Sequence, residues 1–367
     1  MAVFRPFAAV RPLPDYAAQV AALPYDVMSS AEARELAQEN PNSFLHVDKA
    51  EIDLDPSIDL YDARVYEKAT GKFGECLCRT AYARRNQKPC FYIYRQIMEG
   101  RAQTGLVGCA SIDDYRSNTI KKHEFTRADK EADRIRHVDA CDANTGPIFL
   151  ACRPQAKLHT ILEDWKAAHA PVYDFVQDGV RQTVWVVDDD SAIVRLTETI
   201  AKIEALYIAD GHHRAASAVR VGEMRREATP GYTGEEEFNF FLAVLFSSDE
   251  LAIMDYNRVV KDLNGLYAGG VFTKDWGKIR GFRPMRGRGR STRSKAIPSA
   301  YIWAENGIAW RQRQARSLKA IRLRASMYPF CRRTCLALCS ASVTRARINV
   351  LTLSAAFAAL GSWKARK

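Results

Sequence analysis

The sequence has no apolar run near the about 20 residues that cross a bilayer, and no apolar signal core precedes its first prolines. It also contains no Walker loop, no Rossmann glycine fingerprint, no His-Glu-x-x-His helix and no Gly-x-Ser-x-Gly elbow. These absences argue against P-loop enzymes, dinucleotide-binding enzymes, zinc proteases and serine hydrolases of the usual kinds. We expect a cytoplasmic protein without a membrane partner.

Cysteines at disulfide or metal spacing are also missing. None of the nine cysteines forms a Cys-x-x-Cys pair, and those between Cys76 and Cys152 are scattered without histidines at ligand spacing. Cys331, Cys335 and Cys339 lie four residues apart and would share one face of a helix, but we reject a metal site there for a reason given below. We therefore expect reduced thiols, and the metal ligands remain unassigned.

Acidic residues are almost absent from the last part of the chain. Residues 267–367 contain 22 Lys and Arg but only Asp275 and Glu305 as acids, which gives a net charge of +20. The whole chain has 54 basic and 43 acidic residues, so its formal charge of +11 leaves −9 on residues 1–266. The net charge of the whole chain describes neither residues 1–266 nor residues 267–367. By itself it does not indicate a nucleic-acid partner.

Strand and helix patterns are mixed along residues 1–266 and predict a mixed α/β (α+β) domain with mixed sheets, undivided or in two subdomains. Ser29 or Ser30 is the predicted N-cap of a helix over residues 31–37. The other predicted helices cover residues 61–73, 192–203 and 215–220 and a segment that begins at Ala128. The predicted strands cover residues 43–47, 90–98, 103–109, 147–152, 172–175, 183–187, 205–209, 238–247 and 253–259.

The strongest functional motif is Asp210-Gly211-His212-His213-Arg214, which lies between a predicted strand and a predicted helix. Backbone N–H groups at a helix N-terminus attract anions, and a glycine lets a ligand approach the backbone closely. Arg214 can hold a phosphate or carboxylate through two parallel N–H bonds. His212 or His213 can carry a proton, and Asp210 can orient a histidine or bind a metal ion. The alternative is a tight strand–helix turn with a solvated basic patch.

A dense polar segment after residue 120 supplies a second set of candidates. Its basic members can all reach one anion, and they are Lys122, His123, Arg127 and Arg134. His123 or Glu124 can also act as a general base if its environment tunes its proton affinity. A charged, solvated helix with ion pairs between turns is the alternative.

Three further turns contribute weaker candidates. Asn144 lies in an Asp-Ala-Asn-Thr-Gly-Pro turn and can offer amide donors to an anion. Tyr25 and Asp26 lie in a loop, and Asn257 and Arg258 lie at a strand end. We assign these four to the substrate, since ligands often bind at such positions. Each segment is also compatible with a plain turn.

Seven short motifs, in order along the chain, resemble a bacterial and archaeal family of unknown function. They are Pro24–Val27, Asn40–His46, Lys122–Arg127, Asp133–Arg134, Asn144–Phe149, Asp210–Arg214 and Tyr256–Asn264. The resemblance covers residues 1–266. The Asp-Gly-His-His-Arg box is also similar, locally, to that of the free-serine kinases of the ParB/sulfiredoxin-like superfamily, in which a strand–turn–helix of this form binds nucleotide phosphates.

This local resemblance implies phosphoryl transfer to a small hydroxylated metabolite such as serine, with ATP or ADP and Mg²⁺ as cofactors. Gly211 and Arg214 would hold phosphate, and a histidine of the box would transfer a proton or stabilise charge. Two alternatives stay open, namely a non-catalytic ParB-like nucleotide-binding switch and a phosphatase for a phosphorylated metabolite. The expected partners are a small-molecule substrate and no specific nucleic acid.

The family resemblance ends in the basic segment, where a Phe-x-Gly-Gly-x-Arg-Gly box is expected. The genetic code permits Gly-Gly-x-Arg-Gly in a neighbouring frame over residues 347–366, and it permits two more expected motifs at the same offset over residues 302–310 and 326–331. We therefore predict that the chain leaves its frame near Leu266, so that residues 267–367 are largely disordered or non-native. The three cysteines of this segment would then be out-of-frame residues, and this chain would have weak activity or none.

Overall fold

A computed structural model describes the chain over residues 2–78, 83–124, 126, 128–252, 258–260, 282–286, 308–312 and 343–345. It has a mixed α/β fold with a mixed sheet, which confirms the predicted fold class. The described residues up to 252 form one unit, and the four short strands that follow belong to a second.

Strands and helices alternate irregularly along the first unit. Its strands are β1 (Phe4–Arg5), β2 (Val10–Pro12), β3 (Ala83–Arg85), β4 (Phe91–Met98), β5 (Arg101–Ser111), β6 (Ile120–Lys121), β7 (Ile148–Cys152), β8 (Tyr173–Gln177), β9 (Val180–Val187), β10 (Leu206–Asp210) and β11 (Phe240–Ser247). Its helices are α1 (Ala17–Val20), α2 (Ser30–Ala37), α3 (Leu45–Asp48), α4 (Ala63–Cys78), α5 (Ile112–Arg116), α6 (Ala128–Cys141), α7 (Ala156–Ala168), α8 (Asp190–Ala201) and α9 (His212–Ala228). The second unit contains β12 (Arg258–Val260) paired with β15 (Val343–Arg345), and β13 (Phe282–Arg286) paired with β14 (Ile308–Gln312), both antiparallel.

One nine-stranded sheet organises the first unit. Its strand order is β6, β10, β7, β11, β5, β4, β9, β8, and β1 pairs with β5 beside this path. The pairs β6–β10 and β7–β11 are parallel, whereas β10–β7, β11–β5 and the pairs that follow are antiparallel. The mixed directions follow from the chain, which forms hairpins at β4–β5 and β8–β9 and helical connections elsewhere.

Strand β11, in the middle of the sheet, is buried on both faces. Its apolar run is buried throughout, and successive side chains of a strand point to opposite faces. Phe241 and Leu245 enter the core that packs on α7, α8 and α9. Val244 and Phe246 enter a second core with Tyr92, which the N-terminal segment covers. A strand with two apolar faces reads as an unbroken hydrophobic run.

A third core lies among the helices α2, α3 and α4 and includes Cys141 at the end of α6. The predicted serine cap of α2 is confirmed at Ser29, whose side chain accepts a bond from the Glu32 N–H at 3.2 Å. In return the Glu32 carboxylate accepts from the Ser29 N–H at 2.9 Å. This reciprocal capping box satisfies two N–H groups that the helix itself leaves unpaired.

Helices α6 and α9 approach each other closely through small residues. The buried side of α9 carries Ala215, Ala216, Ser217, Ala218 and Gly222. The Ser217 hydroxyl lies 3.3 Å from the carbonyl oxygen of Glu131 on α6. Small side chains let two helix backbones come near, so the two helices form one packed pair.

The predicted elements are confirmed for the hairpin of β4 and β5 and for the helices α4, α6, α8 and α9, with shifted ends. The predicted strand over residues 43–47 is wrong, because the chain there forms α3. The Ser43 hydroxyl accepts a bond from the Leu45 N–H at 3.3 Å, and such local bonds compete with strand pairing. Helix α7 was not predicted, although its buried residues at 158, 161, 162 and 165 have helical spacing.

Other predictions fall on parts of the chain that are only partly described. The strand predicted over 253–259 is described only at residues 258–260, which belong to β12. The boundary at 266 and the predicted disorder of 267–367 lie outside the described residues, apart from β13, β14 and β15. Among the helices that are described, none combines the length and apolar character needed to cross a bilayer. The described cysteines at 90, 109, 141 and 152 are free thiols.

We predict that Gly222→Ala destabilises the protein by about 1–3 kcal/mol, as overpacked cores do. A Cβ atom at this position would lie 2.4 Å from the Phe238 carbonyl oxygen and 2.9 Å from Cδ1 of Ile112. The matched control is Gly71→Ala in α4, where no atom lies within 4 Å and alanine gains up to about 1 kcal/mol of helix propensity. Urea unfolding measures both, and a Gly222→Ala protein as stable as the wild type would contradict the packing described here.

Candidate functional site

The Asp-Gly-His-His-Arg motif forms the junction of β10 and α9, as the sequence predicts. Gly211 is the N-cap of α9 and has a φ of +86°, a backbone conformation that glycine adopts without strain. The register of β10 against β7 shifts between Ile208 and Asp210, which is typical of a β-bulge. Among the described residues no side chain caps the start of α9, so the positive end of its dipole is not neutralised by a cap.

Arg214 folds back over this turn. Its Nη2 donates to Asp210 Oδ2 at 2.8 Å, and its Nη1 donates to the Pro147 carbonyl at 2.5 Å. A Cβ at Gly211 would lie 3.3 Å from Nε of Arg214, so the missing side chain makes room for the guanidinium. Nε itself is buried and has no partner in the described part of the chain. Burial opposes the charge of Arg214, but the carboxylates of Asp26 and Asp210 outweigh it and raise its pKa.

Arg134 reaches the same place from α6. Its Nε donates to Asp133 Oδ2 at 2.9 Å, and its guanidinium lies 4.2 Å from the centre of the Tyr25 ring. Asp133 also accepts a bond from the Tyr66 hydroxyl at 2.9 Å, which holds the carboxylate in place. Burial raises the pKa of Tyr25 to about 12, even though Arg134 works in the opposite direction. Tyr25 is therefore a neutral hydroxyl at physiological pH.

Both arginines line one cavity of about 30 Å³. Tyr25 and Asn144 line it as well, so the structure brings together four predicted residues from four separate segments. Asp210 and Gly211 adjoin this group through their contacts with Arg214. Two guanidinium groups, an amide, a phenol and a helix N-terminus together can hold a phosphate or carboxylate.

Three other predicted residues form a separate cluster at the start of α9. His212 is 6% exposed. Its ring packs against that of His123 in a T-shaped arrangement, with ring centres 4.4 Å apart and ring planes nearly perpendicular. Its Nδ1 lies 3.9 Å from Glu124 Oε2, and its buried Nε2 has no partner among the described residues. Burial, aided by the neighbouring His123, lowers the pKa of His212. This histidine–glutamate cluster does not line the cavity.

The remaining predicted residues lie apart or outside the described chain. Lys122 is exposed, and its Nζ donates to the Tyr115 carbonyl at 3.0 Å instead of lining the cavity. His213 occupies the second position of α9, where its carbonyl accepts a bond from the Ser217 hydroxyl at 2.7 Å. Arg127 and Asn257 lie outside the described residues, and only the backbone of Arg258 is described.

Sequence reasoning missed three residues that line the cavity, namely Asp48, His137 and Thr145. His137 is 3% exposed, and its Nε2 lies 3.6 Å from Asp48 Oδ1 and 3.4 Å from Thr145 Oγ1. Burial alone would lower the pKa of His137, but Cys141 and Asp48 outweigh it and raise that pKa to about 9. His137 follows Arg134 by three residues, which puts both on one face of a helix, and this spacing could have identified it.

No group of three or more His, Cys, Asp or Glu side chains within the described residues has the arrangement of a metal site. Asp210 remains the predicted metal contact. Its carboxylate is half exposed and already pairs with Arg214. Mg²⁺ commonly takes only one or two protein carboxylates and completes its shell with water and phosphate oxygens. The single carboxylate of Asp210 therefore matches the small number of protein ligands that such an ion takes.

We predict that Gly211→Ala weakens the binding of inorganic pyrophosphate about tenfold, equivalent to about 1.4 kcal/mol. The new methyl group would press on the guanidinium of Arg214. Gly231→Ala is the matched control, since its φ of +84° gives similar backbone strain but no atom lies within 4 Å of the new Cβ. Calorimetric titration should show normal binding in the control. Equal affinities in the two variants would mean that Gly211 serves the turn alone.

The comparisons with known proteins identify one family. One family, described as "Protein of unknown function (DUF1015)", matches residues 4–275. No curated protein and no solved structure matches the chain. The matched range contains the cavity, the histidine–glutamate cluster and the β10–α9 turn, and it covers most of the chain. The chain therefore belongs to the DUF1015 family of proteins of unknown function.

Proposed function

We propose that this protein transfers a phosphoryl group between a nucleotide and a small hydroxylated metabolite such as serine. The observation that carries the proposal is the convergence of Arg134 and Arg214, from two different helices, on one cavity beside the start of α9. Phosphoryl transfer relies mainly on positioning and on stabilising the charge of the phosphoryl oxygens. Paired guanidinium groups and a helix N-terminus supply both.

The phosphate-binding half of the site has an unmet donor. A buried N–H without an acceptor costs about 1–3 kcal/mol, and Nε of Arg214 is such a group. A phosphate oxygen near Gly211 would satisfy it while Asp210 and Pro147 keep holding the other nitrogens. Asn144 would add an amide donor, and Arg134 would hold the opposite side of the anion.

The proton-transfer half would be the histidine–glutamate cluster. Because its pKa is lowered, His212 is neutral near pH 7 and can accept a proton at a ring nitrogen. Glu124, 3.9 Å from Nδ1, would stabilise the imidazolium that forms, and His123 or His213 would assist in charge stabilisation. Tyr25 and Asp26 would contact the metabolite, with the neutral phenol as a hydrogen-bond donor.

The nucleotide would be ATP or ADP with Mg²⁺, and Asp210 would contact the ion. Bound Mg²⁺ neutralises developing charge on the phosphates. A cytoplasmic location, expected from the scattered cysteines, belongs to the same proposal. Two other functions would use the same anion site. A ParB-like switch would bind nucleotide without turnover, and a phosphatase would hydrolyse a phosphorylated metabolite.

A turnover assay separates these functions. The full chain is incubated with ATP or ADP, Mg²⁺ and a panel of hydroxylated amino acids and sugars, and phosphorus NMR identifies the products. We expect Arg214→Gln to lower kcat/KM at least about 30-fold. The variant removes the arginine that would pair with the phosphate, and truncating one member of a buried charge pair costs about 2 kcal/mol or more. Arg220→Gln, which removes a half-exposed arginine from the same helix, should change it less than about twofold.

Each other outcome points elsewhere. Nucleotide binding without turnover in an intact-frame relative would favour the switch, and release of inorganic phosphate from phosphorylated metabolites alone would favour the phosphatase. Equal loss in Arg214→Gln and Arg220→Gln would contradict the cavity as the phosphate site.

We also propose that residues 267–367 are read out of frame. The proposal rests on the change of charge at residue 267 and on the family motifs that neighbouring frames permit. The family match ends at residue 275, nine residues into this segment. Resequencing the DNA should reveal an insertion or deletion near the codon of Leu266. A single intact frame, without an insertion or deletion relative to close relatives, would contradict the proposal.

If the frame is broken, this chain should be poorly soluble and weakly active. Restoring the frame should increase soluble yield and turnover together, because the missing box would return to the fold. Cooperative unfolding of the present chain, with turnover equal to that of an intact relative, would count against this expectation.

A further inference from the structure

His137 is a buried, titratable side chain of the cavity that the proposed reaction does not use. It lies one helical turn after Arg134 on α6 and lines the same cavity as Arg134 and Arg214. Only 3% of its surface is exposed. A histidine so placed can neither solvate its charge nor avoid the electrostatic field of a bound anion.

Burial and the charge of Arg134 oppose the charged form of His137, whereas Cys141 and Asp48 favour it. Asp48, at the end of α3, places Oδ1 at 3.6 Å from Nε2 of His137 and is itself mostly buried. On α6 the Cys141 Sγ lies 3.9 Å from the same nitrogen. The other charged or titratable groups that face it are Arg134 on α6, with Tyr25 and Arg214 across the cavity. A carboxylate near an imidazole in a buried site favours the imidazolium.

We propose that His137 is a third cationic binding residue of this cavity, held protonated by Asp48, and that its protonation couples anion binding to pH. This inference rests on the proposed function, since the anion is the one that Arg134 and Arg214 hold. The two guanidinium groups keep their charge at every pH that the fold survives. His137 can lose its charge, so anion affinity should fall as pH rises through the pKa of His137, which is about 9.

Sulfate is the probe for this coupling, because it stays a dianion over the whole pH range whereas phosphate does not. Its dissociation constant for the full chain is measured by calorimetry from neutral pH to about one unit above the His137 pKa. Binding that persists in Arg214→Gln is subtracted, since the basic segment 267–367 attracts sulfate without a site. We expect the specific affinity to fall about fivefold or more across this range, as for an ordinary coupling between two sites.

Three variants assign the pH step. His137→Gln should bind sulfate more weakly at neutral pH and show no step. Asp48→Asn should keep a step but move it at least one unit lower, because His137 loses the carboxylate that keeps it charged. His46→Gln is the matched control, since His46 pairs with Asp53 at 2.8 Å, away from the cavity, and it should keep the wild-type profile.

The outcomes separate this inference from the proposed function. Absence of specific sulfate binding at every pH would overturn both. Specific binding with the same pH profile in the wild type and in His137→Gln would overturn only the role of His137. If His137→Gln fails to fold, Asp48→Asn decides, and a step that stays at the wild-type pH would overturn the proposal.

Discussion

The ion pair between Asp210 and Arg214 joins the parts on which the site depends. Asp210 ends β10, Arg214 lies in the first turn of α9, and the same guanidinium donates to the carbonyl of Pro147 just before β7. The Arg214 side chain thus connects the neighbouring strands β7 and β10 with α9, the helix that follows β10. It can do so because the position between the pair is a glycine in a left-handed conformation, which leaves space for the guanidinium. The cavity is formed around this arrangement.

Every cation at the cavity has a carboxylate partner. Arg214 pairs with Asp210, Arg134 with Asp133, and His137 lies beside Asp48. Burying a lone charge costs far more free energy than burying a paired one. These carboxylates therefore allow the cationic side chains to stay charged in a buried site before any ligand binds. These three carboxylates would thereby help to stabilise the proposed anion site.

Local chemistry was predictable from the sequence wherever a few consecutive residues decide it. A serine cap at Ser29 or Ser30, the hairpin of β4 and β5 and the turn at Gly211 were all predicted, since each depends on turn, cap or glycine chemistry within a few positions. Arg134 was predicted from its place in a polar segment. Asp48 and Thr145 were not, because they reach the cavity only through the packing of α3 and of a loop against α6. The short run over residues 43–47 was assigned to a strand because an apolar stretch of that length lacks a decisive period.

The small residues along α9 have a consequence for how a ligand would bind. Because α6 and α9 pack against each other and the Ser217 hydroxyl donates to the Glu131 carbonyl, contacts within the protein hold together the two helices that carry Arg134 and Arg214. A ligand that bridges them would not have to order a loop or close two parts of the protein, and ordering of that kind normally consumes part of the interaction energy. If the cavity binds an anion as proposed, the spacing between Arg134 and Arg214 is therefore set by the fold and not by the ligand.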